Sequence, residues 1–163
     1  ARSSASRALP RSNACTSSSS QHLTSSEVLH LEIESKVSSP LYQRLQVKDF
    51  LIRFNRAIDQ SPRGYDFSIK DYFHSPLGRA TALDQSVNAP SLVSRDVGAA
   101  LDRFFKKNPN VSRNPEEWGA GRAEYESSIL QDYGNSRAMA VANGKSVAPD
   151  RYAHLVAVLG DPS

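Results

Sequence analysis

The chain is short of cysteine and of long apolar runs, and these shortages exclude several classes of protein. Its 163 residues contain one cysteine, which excludes a disulfide-stapled scaffold and any zinc or iron–sulfur site built from several cysteines of this chain. No window approaches the roughly 18 consecutive apolar residues of a membrane-spanning helix. No glycine-rich phosphate loop, HExxH pair or GxSxG elbow occurs, so the common signatures of nucleotide, zinc-protease and serine-hydrolase sites are missing.

Residues 1–26 lack acidic side chains altogether. They carry ten serines and three arginines, Arg2, Arg7 and Arg11, and too little aliphatic surface to form a core. This composition is typical of an organellar targeting segment, its serine content favours a plastid over a mitochondrion, and it has no apolar run of a secretory signal. A flexible tail in any compartment is the alternative. The sequence thus predicts an extended arm or targeting remnant over 1–26 and a single helical domain over 27–163.

The positive charge of the chain belongs to this arm. Of 20 basic side chains, the 17 that follow residue 26 equal the 17 acidic ones in number. A nucleic-acid-binding domain concentrates a basic excess on a folded face. Because residues 27–163 have no excess to concentrate, we expect no nucleic-acid partner.

The rest of the chain shows the apolar spacing of helices. The clearest stripe has six members, Val47, Phe50, Leu51, Phe54, Ala57 and Ile58. Further helices are predicted from Val97 to Phe105, after Asn114-Pro115 with Gly134 at the end, and from Asp150 to Gly160.

The remaining stretches give weaker patterns. Residues 27–37 fit a strand period and also a capped helix, and the absence of a second convincing strand favours the helix. Residues 61–93 predict mostly irregular structure with short turns capped at Ser68 and Ser75. Asn143-Gly144 is a turn signal without enough β-propensity around it for a hairpin. The fold class is therefore mainly α, a small irregular bundle of four to five helices with long loops and an extended serine-rich N-terminal arm.

No constellation of residues in the sequence carries recognisable chemistry. The four histidines have no partner at a metal-ligand spacing, and Glu116-Glu117 is explained by a helix N-terminus. We therefore expect no catalytic residue, metal or cofactor. Phe50, Phe54, Phe104, Phe105 and Trp118 have helical spacing, which favours core packing, and Trp118 between Pro115 and Gly119 is the place where a pigment would bind if there were one.

The long loops and the predicted serine-rich arm favour a protein that contacts other proteins. Residues expected to bind partners are the three arm arginines, four aromatic residues of the irregular middle stretch and the tryptophan: Arg2, Arg7, Arg11, Tyr65, Phe67, Tyr72, Phe73 and Trp118. Residues 45–58, LQVKDFLIRFNRAI, look loosely like a helix of the phycobilisome linker family, over a share of the chain too small to assign a family.

The function expected from the sequence is that of a non-enzymatic accessory or linker subunit of a large organellar complex, with a photosynthetic antenna or photosystem in a plastid as the first expectation. A mitochondrial respiratory-complex or ribosomal accessory subunit is one alternative. A free-standing helical domain that binds a small molecule or pigment is another, and an enzyme of unrecognised type is the third.

Overall fold

The structure, a computed structural model, describes Val37 and residues 39–162. Six α-helices make up most of these residues. The helices are α1 Pro40–Asp59, α2 Ile69–Tyr72, α3 Pro76–Asn88, α4 Val93–Lys107, α5 Arg122–Ser136 and α6 Ala148–Leu159. Two 3₁₀ segments, Pro90–Leu92 and Pro115–Gly121, precede α4 and α5. Strands β1 Val141–Ala142 and β2 Lys145–Ser146 pair antiparallel, with Val141 opposite Ser146. The mainly α prediction is confirmed.

The chain divides into two units, residues 1–43 and 44–163. Of the first unit the structure describes Val37 and residues 39–43, which include the first turn of α1. The predictions for Arg2, Arg7, Arg11 and the helix over 27–37 fall outside the described residues, apart from Val37 itself.

Serine followed by proline starts two of the helices. The Ser39 hydroxyl accepts a hydrogen bond from the Tyr42 amide at 3.2 Å, and the Ser75 hydroxyl accepts one from the Gly78 amide at 3.0 Å. Proline at the next position loses nothing, since the first amides of a helix have no partner within it. The predicted Ser68 cap of α2 is also present, with Asp71 accepting from the Ser68 amide at 2.8 Å.

Helix α3 corrects the prediction that residues 61–93 are mostly irregular. Its buried side includes Thr81 and Gln85 beside Leu77 and Ala82, so the apolar spacing that marks a helix is interrupted by polar residues. Both polar side chains are satisfied inside the fold: the Thr81 hydroxyl donates to the Leu77 carbonyl at 2.7 Å, and Gln85 bonds to Tyr133 and Asp96. Polar residues can be buried when they are hydrogen-bonded. The spacing of apolar residues alone therefore does not predict α3.

Two glycines change the predicted helix after Asn114-Pro115. Gly119 has φ 52° and ψ −129°, a conformation that breaks the helix and leaves a 3₁₀ segment before α5. Gly134 lies inside α5 and does not follow its end. A Cβ on this residue would lie 2.3 Å from Cδ2 of the Tyr152 ring. The predicted role of Gly134 as the residue after the helix is therefore wrong, and its physical role is to admit α6. The predicted turn at Asn143-Gly144 is present. It closes the β1–β2 hairpin, which the low β-propensity of the flanking residues did not predict.

The core lies among α3, α4, α5 and α6, which pack against one another. Its fully buried apolar side chains include Val97 and Leu101 of α4 and Ile129 and Leu130 of α5. Helix α1 contributes little to this core, since only Ala57 and Ile58 in its last turn are buried.

A buried carboxylate ties α5 to the start of α3. Glu126 is 2% exposed, and it accepts hydrogen bonds from the His74 amide at 3.0 Å, the Ser75 amide at 2.9 Å and the Ser75 hydroxyl at 2.5 Å. The same hydroxyl caps the Gly78 amide. A carboxylate that accepts several such bonds compensates for its loss of water, so this residue fixes the α2–α3 turn against α5.

A second buried carboxylate joins α3, α5 and α6. Asp84 accepts from Arg137 Nη2 at 2.8 Å and from Arg151 Nε at 3.0 Å, and the Arg137 side chain is fully buried. Burial by itself raises the pKa of Asp84, but the hydrogen bond from Arg151 and the charges of both arginines outweigh it and hold that pKa below its ordinary value.

Replacing Asp84 by asparagine should therefore destabilise the fold by about 3 kcal/mol at neutral pH, because Arg137 is left buried without a counter-charge. A carboxyl group whose pKa is lowered in the folded state contributes stability above its ordinary pKa and loses it as the pH falls through the folded value. The wild type should thus lose stability below about pH 4 more steeply than Asp84→Asn. Urea unfolding between pH 7 and pH 3 measures both effects.

The control Asp132→Asn removes the half-exposed pair with Arg103 and should cost below about 1 kcal/mol. Equal losses in the two variants would contradict a buried role for Asp84.

Helix α4 is approached closely by the loop that follows α1. The Arg63 amide donates to the Ser94 carbonyl at 2.9 Å, and the Ser94 hydroxyl donates to the Ser61 carbonyl at 2.7 Å. A Cβ on Gly98 would lie 2.5 Å from the Arg63 carbonyl oxygen, so a glycine is needed for this contact.

Replacing Gly98 by alanine should destabilise the protein by about 1 to 3 kcal/mol, although alanine is the better helix former, since backbone has to move to admit the methyl group. Thermal unfolding followed by circular dichroism measures the loss. Lys106→Ala in the same helix is exposed and should stay within about 0.5 kcal/mol. A stabilised Gly98→Ala would show that the loop does not pack here.

A candidate docking site on helix α1

The aromatic residues expected to bind partners lie in the core. Tyr72 and Phe73 have no exposed surface, Tyr65 and Trp118 are buried, and Phe67 is partly buried against them. Ring contacts hold them together, with centroids 5.9 Å apart for Tyr65–Tyr72 and 5.8 Å apart for Tyr72–Trp118. Edge-to-face and tilted aromatic pairs of this kind add to the stability gained by burial.

The polar ends of these rings are also satisfied within the chain. The Tyr65 hydroxyl donates to Asp102 at 2.9 Å, and the Tyr72 hydroxyl donates to the Arg113 carbonyl at 3.0 Å. Burial, together with the carboxylates of Asp66 and Asp71, raises the pKa of Tyr72 to about 12. The expectation that these side chains form an exposed partner surface is corrected, since their helical neighbours cover them.

The tryptophan has no open space for a pigment against its ring. Tyr72, Phe104 and Tyr125 lie with their ring centroids 5.8, 6.4 and 5.8 Å from that of Trp118, and the Arg122 guanidinium lies 5.7 Å from it. Its Nε1 donates to the Ser112 carbonyl at 2.8 Å. Trp118 is a core residue with its hydrogen bond made.

The exposed apolar surface lies on α1, where the sequence predicts a stripe that faces the core. The stripe is buried only at its end, at Ala57 and Ile58. Further toward the N-terminus, Val47 is 58% exposed, Phe50 52% and Leu51 49%. The prediction of core packing for Phe50 is therefore wrong. We call Val47, Phe50 and Leu51 the exposed stripe.

A second apolar row lies on the opposite side of the same helix. With about 100° between successive residues, Leu41, Leu45 and Ile52 point away from the exposed stripe, and their exposed fractions are 70%, 55% and 48%. Isolated exposed apolar residues are common, but two rows on one helix are typical of an interaction surface.

Basic side chains lie between the two rows. Arg44 and Lys48 border the exposed stripe on one side and form no ion pair with any residue from 39 to 162. Arg53 lies on its other side and donates to Asp49 at 2.8 Å. From residue 44 to residue 56 the helix thus presents mainly positive charge around its apolar rows.

A cavity of about 280 Å³ opens where α1 meets α3 and the first 3₁₀ segment. Arg53, Arg56, Ala57 and Gln60 form one wall, and Ser86, Val87 and Pro90 form the other. Gln60 is held by a bond from its amide to the Ala57 carbonyl at 3.0 Å. Arg56 forms no ion pair with a described residue, so the cavity combines a free cation with an apolar edge at Val87, which is 66% exposed.

Other polar clusters of the described chain are occupied by its own residues. Asp84, Asp150, Arg151 and His154 line a cavity on α6, but Asp84 is already bound by two arginines. Within residues 39–162 no group of three or more histidine, cysteine, aspartate or glutamate side chains is placed to hold a metal ion.

Sequence reasoning did not find the site on α1, although one signal was available. A helix that faces a core on one side carries one apolar stripe, whereas α1 also carries Leu45 and Ile52 on its far side. Apolar residues on both sides of a basic helix indicate that a surface outside its own domain also covers the helix.

Comparison of the chain with protein-family models, with curated proteins and with solved structures found no match. Among the described residues, no helix is long and apolar enough to cross a membrane. The surface of α1 is therefore the feature of the chain that bears on its function.

The exposed stripe should contribute little to the stability of the isolated protein. We expect Phe50→Gln combined with Leu51→Gln to change the free energy of unfolding by less than about 1 kcal/mol, because both side chains are already half in water. Phe104→Ala removes a core ring that is 5% exposed and should cost about 3 to 5 kcal/mol. Chemical unfolding of the three proteins measures the difference. A loss of several kcal/mol in the double variant would place the stripe in the core instead.

Proposed function

We propose that this chain is a non-enzymatic accessory subunit that docks on other proteins of a larger assembly through helix α1. The observation that carries the proposal is the exposure of Val47, Phe50 and Leu51 on a helix whose last turn is anchored in the core. Such a helix presents an apolar surface at a fixed place on a folded body, which is the helix-in-groove mode of recognition.

The energetics of α1 support a role for a partner. Residues 44–53 are exposed on all sides of the helix, and a helix without tertiary packing is only marginally stable in water. Covering a half-exposed valine, leucine or phenylalanine gains about 1 kcal/mol per side chain. A partner that covers the stripe would stabilise the helix as well as bind to it.

The compartment belongs to the same proposal. The serine-rich, acid-free composition of residues 1–26 favours an organelle, with a plastid ahead of a mitochondrion. An accessory subunit of a photosynthetic antenna or photosystem is the first choice on this composition, and a respiratory or ribosomal subunit is the alternative. The arm arginines Arg2, Arg7 and Arg11 are proposed as additional partner contacts.

The native size of the protein in an extract of its source organelle tests the proposal. We expect the full-length chain to migrate in a particle far larger than its own 17.9 kDa, together with the proteins that it binds. The variant Phe50→Gln with Leu51→Gln should leave that particle and migrate as the free chain, because its core is intact and its docking surface is polar.

The matched control replaces exposed apolar residues elsewhere on the fold. Val141 is 69% exposed and Val158 is 67% exposed, so Val141→Gln with Val158→Gln makes an equal polar change away from α1. This control should stay in the particle. Migration of the wild type near its own mass would overturn the accessory-subunit proposal.

A further inference from the structure

We propose that the partner surface for α1 is an acidic amphipathic helix, whose apolar side covers Val47, Phe50 and Leu51 and whose carboxylates pair with Arg44 and Lys48. This inference rests on the proposed function, since it names the chemistry of the partner that α1 binds. The observations that carry it are the signs of the charges along α1 and the position of the exposed stripe relative to the core.

The charges beside the exposed stripe are of one sign. Arg44 and Lys48 lie along one edge and Arg53 along the other, whereas the acidic Asp49 lies about 150° around the helix from the middle of the stripe. Asp49 is bound by Arg53 at 2.8 Å, so Arg44 and Lys48 remain without a carboxylate from α1 or from any other described residue. Complementary charge at an interface steers association and selects against wrong partners.

Arg44 and Lys48 also disfavour the helix that carries them. They are four residues apart and therefore adjacent on its surface, and like charges at this spacing destabilise a helix. A carboxylate from a partner placed between them removes the repulsion. Two adjacent cations beside an apolar stripe are explained by such a partner.

A second copy of this chain is a poor occupant for the same reason. If two α1 helices pair antiparallel about the middle of the exposed stripe, the same edges meet, and Lys48 of one copy lies beside Lys48 of the other. In a parallel pair opposite edges meet, so Lys48 of one copy faces Arg53 of the other. Both arrangements bring like charges together across the contact and are disfavoured.

An anionic membrane surface fits the geometry less well than a helix does. The exposed stripe runs into Ala57 and Ile58, which are buried against the core, so the stripe faces the side on which the folded body lies. A partner that covers the stripe therefore also meets the folded body, and a helix about 10 Å wide fits beside that body better than a broad flat surface does.

Charge reversal in the full-length protein tests this inference. Arg44→Glu with Lys48→Glu should reduce the fraction of the chain in the native particle at least tenfold, because each new carboxylate faces a partner carboxylate. The control Lys106→Glu with Lys107→Glu reverses two exposed cations at the end of α4 and should leave that fraction unchanged. Circular dichroism checks that both variants keep the helical content of the wild type.

A zero-length carbodiimide cross-link identifies the occupant. The reagent joins an amine to a carboxylate only when the two are in contact, so in the wild-type particle Lys48 should be linked to a glutamate or aspartate of another protein. A link from Lys48 to a carboxylate of this chain, in the same copy or in a second one, overturns the inference. A second result would also overturn the inference. In it, the wild type binds vesicles of phosphatidylcholine and phosphatidylglycerol, and the charge reversal abolishes this binding but leaves the protein in the native particle.

The outcomes separate the two proposals. If the variant Phe50→Gln with Leu51→Gln is lost from the particle but the charge-reversal variant remains in it, α1 is a docking helix and the inference of an acidic partner is wrong. If the wild type forms no particle, the accessory-subunit proposal fails and the partner's chemistry fails with it.

Discussion

The fold depends on one polar network at the meeting point of four helices. Arg137, buried at the end of α5, donates to Asp84 of α3, which also binds Arg151 of α6. Beside it, Gln85 of α3 donates to Asp96 of α4 at 2.6 Å and accepts from the Tyr133 hydroxyl of α5 at 2.7 Å. Asp96 in turn accepts from the Ala138 amide at 2.7 Å. These bonds satisfy most of the buried polar groups of the network, Arg137 Nε excepted, and they favour the arrangement in which the four helices meet.

The aromatic layer on the other side of α4 is organised by this arrangement. Phe104 and Phe105 project from α4 toward Trp118 and Tyr65, with centroids 6.4 Å and 5.9 Å apart. Phe73 stacks on Tyr133 at 5.9 Å, and Tyr133 is the ring whose hydroxyl belongs to the polar network. The rings therefore extend the network into an apolar core, and burial leaves them no role at the surface.

The sequence predicts those parts of the fold that local chemistry determines. Ser68, Ser75, Asn114 and Gly160 mark helix ends because capping needs only neighbouring residues. It does not predict α3, whose buried side includes Thr81 and Gln85, because their partners lie on α3 itself, on α4 and on α5. Nor does it predict that Phe50 is exposed and Tyr72 buried. Phe50 has helical spacing and Tyr72 lies in a stretch predicted to be irregular, and what separates them is which helices the network brings together around α4.

The division of α1 follows from the same constraint. The network fixes α3, α4, α5 and α6, and the space left for α1 accepts its last turn, where Ala57 and Ile58 are buried. Phe54, one turn earlier, is partly buried against the core, whereas Val47, Phe50 and Leu51 are about half exposed and lie outside it. Under the proposed docking role, stability and docking fall on different residues of one helix, so substitutions in the exposed stripe would change binding without changing the fold. A helix anchored at one end and apolar along the rest is suited to a subunit that assembles with other proteins after it has folded.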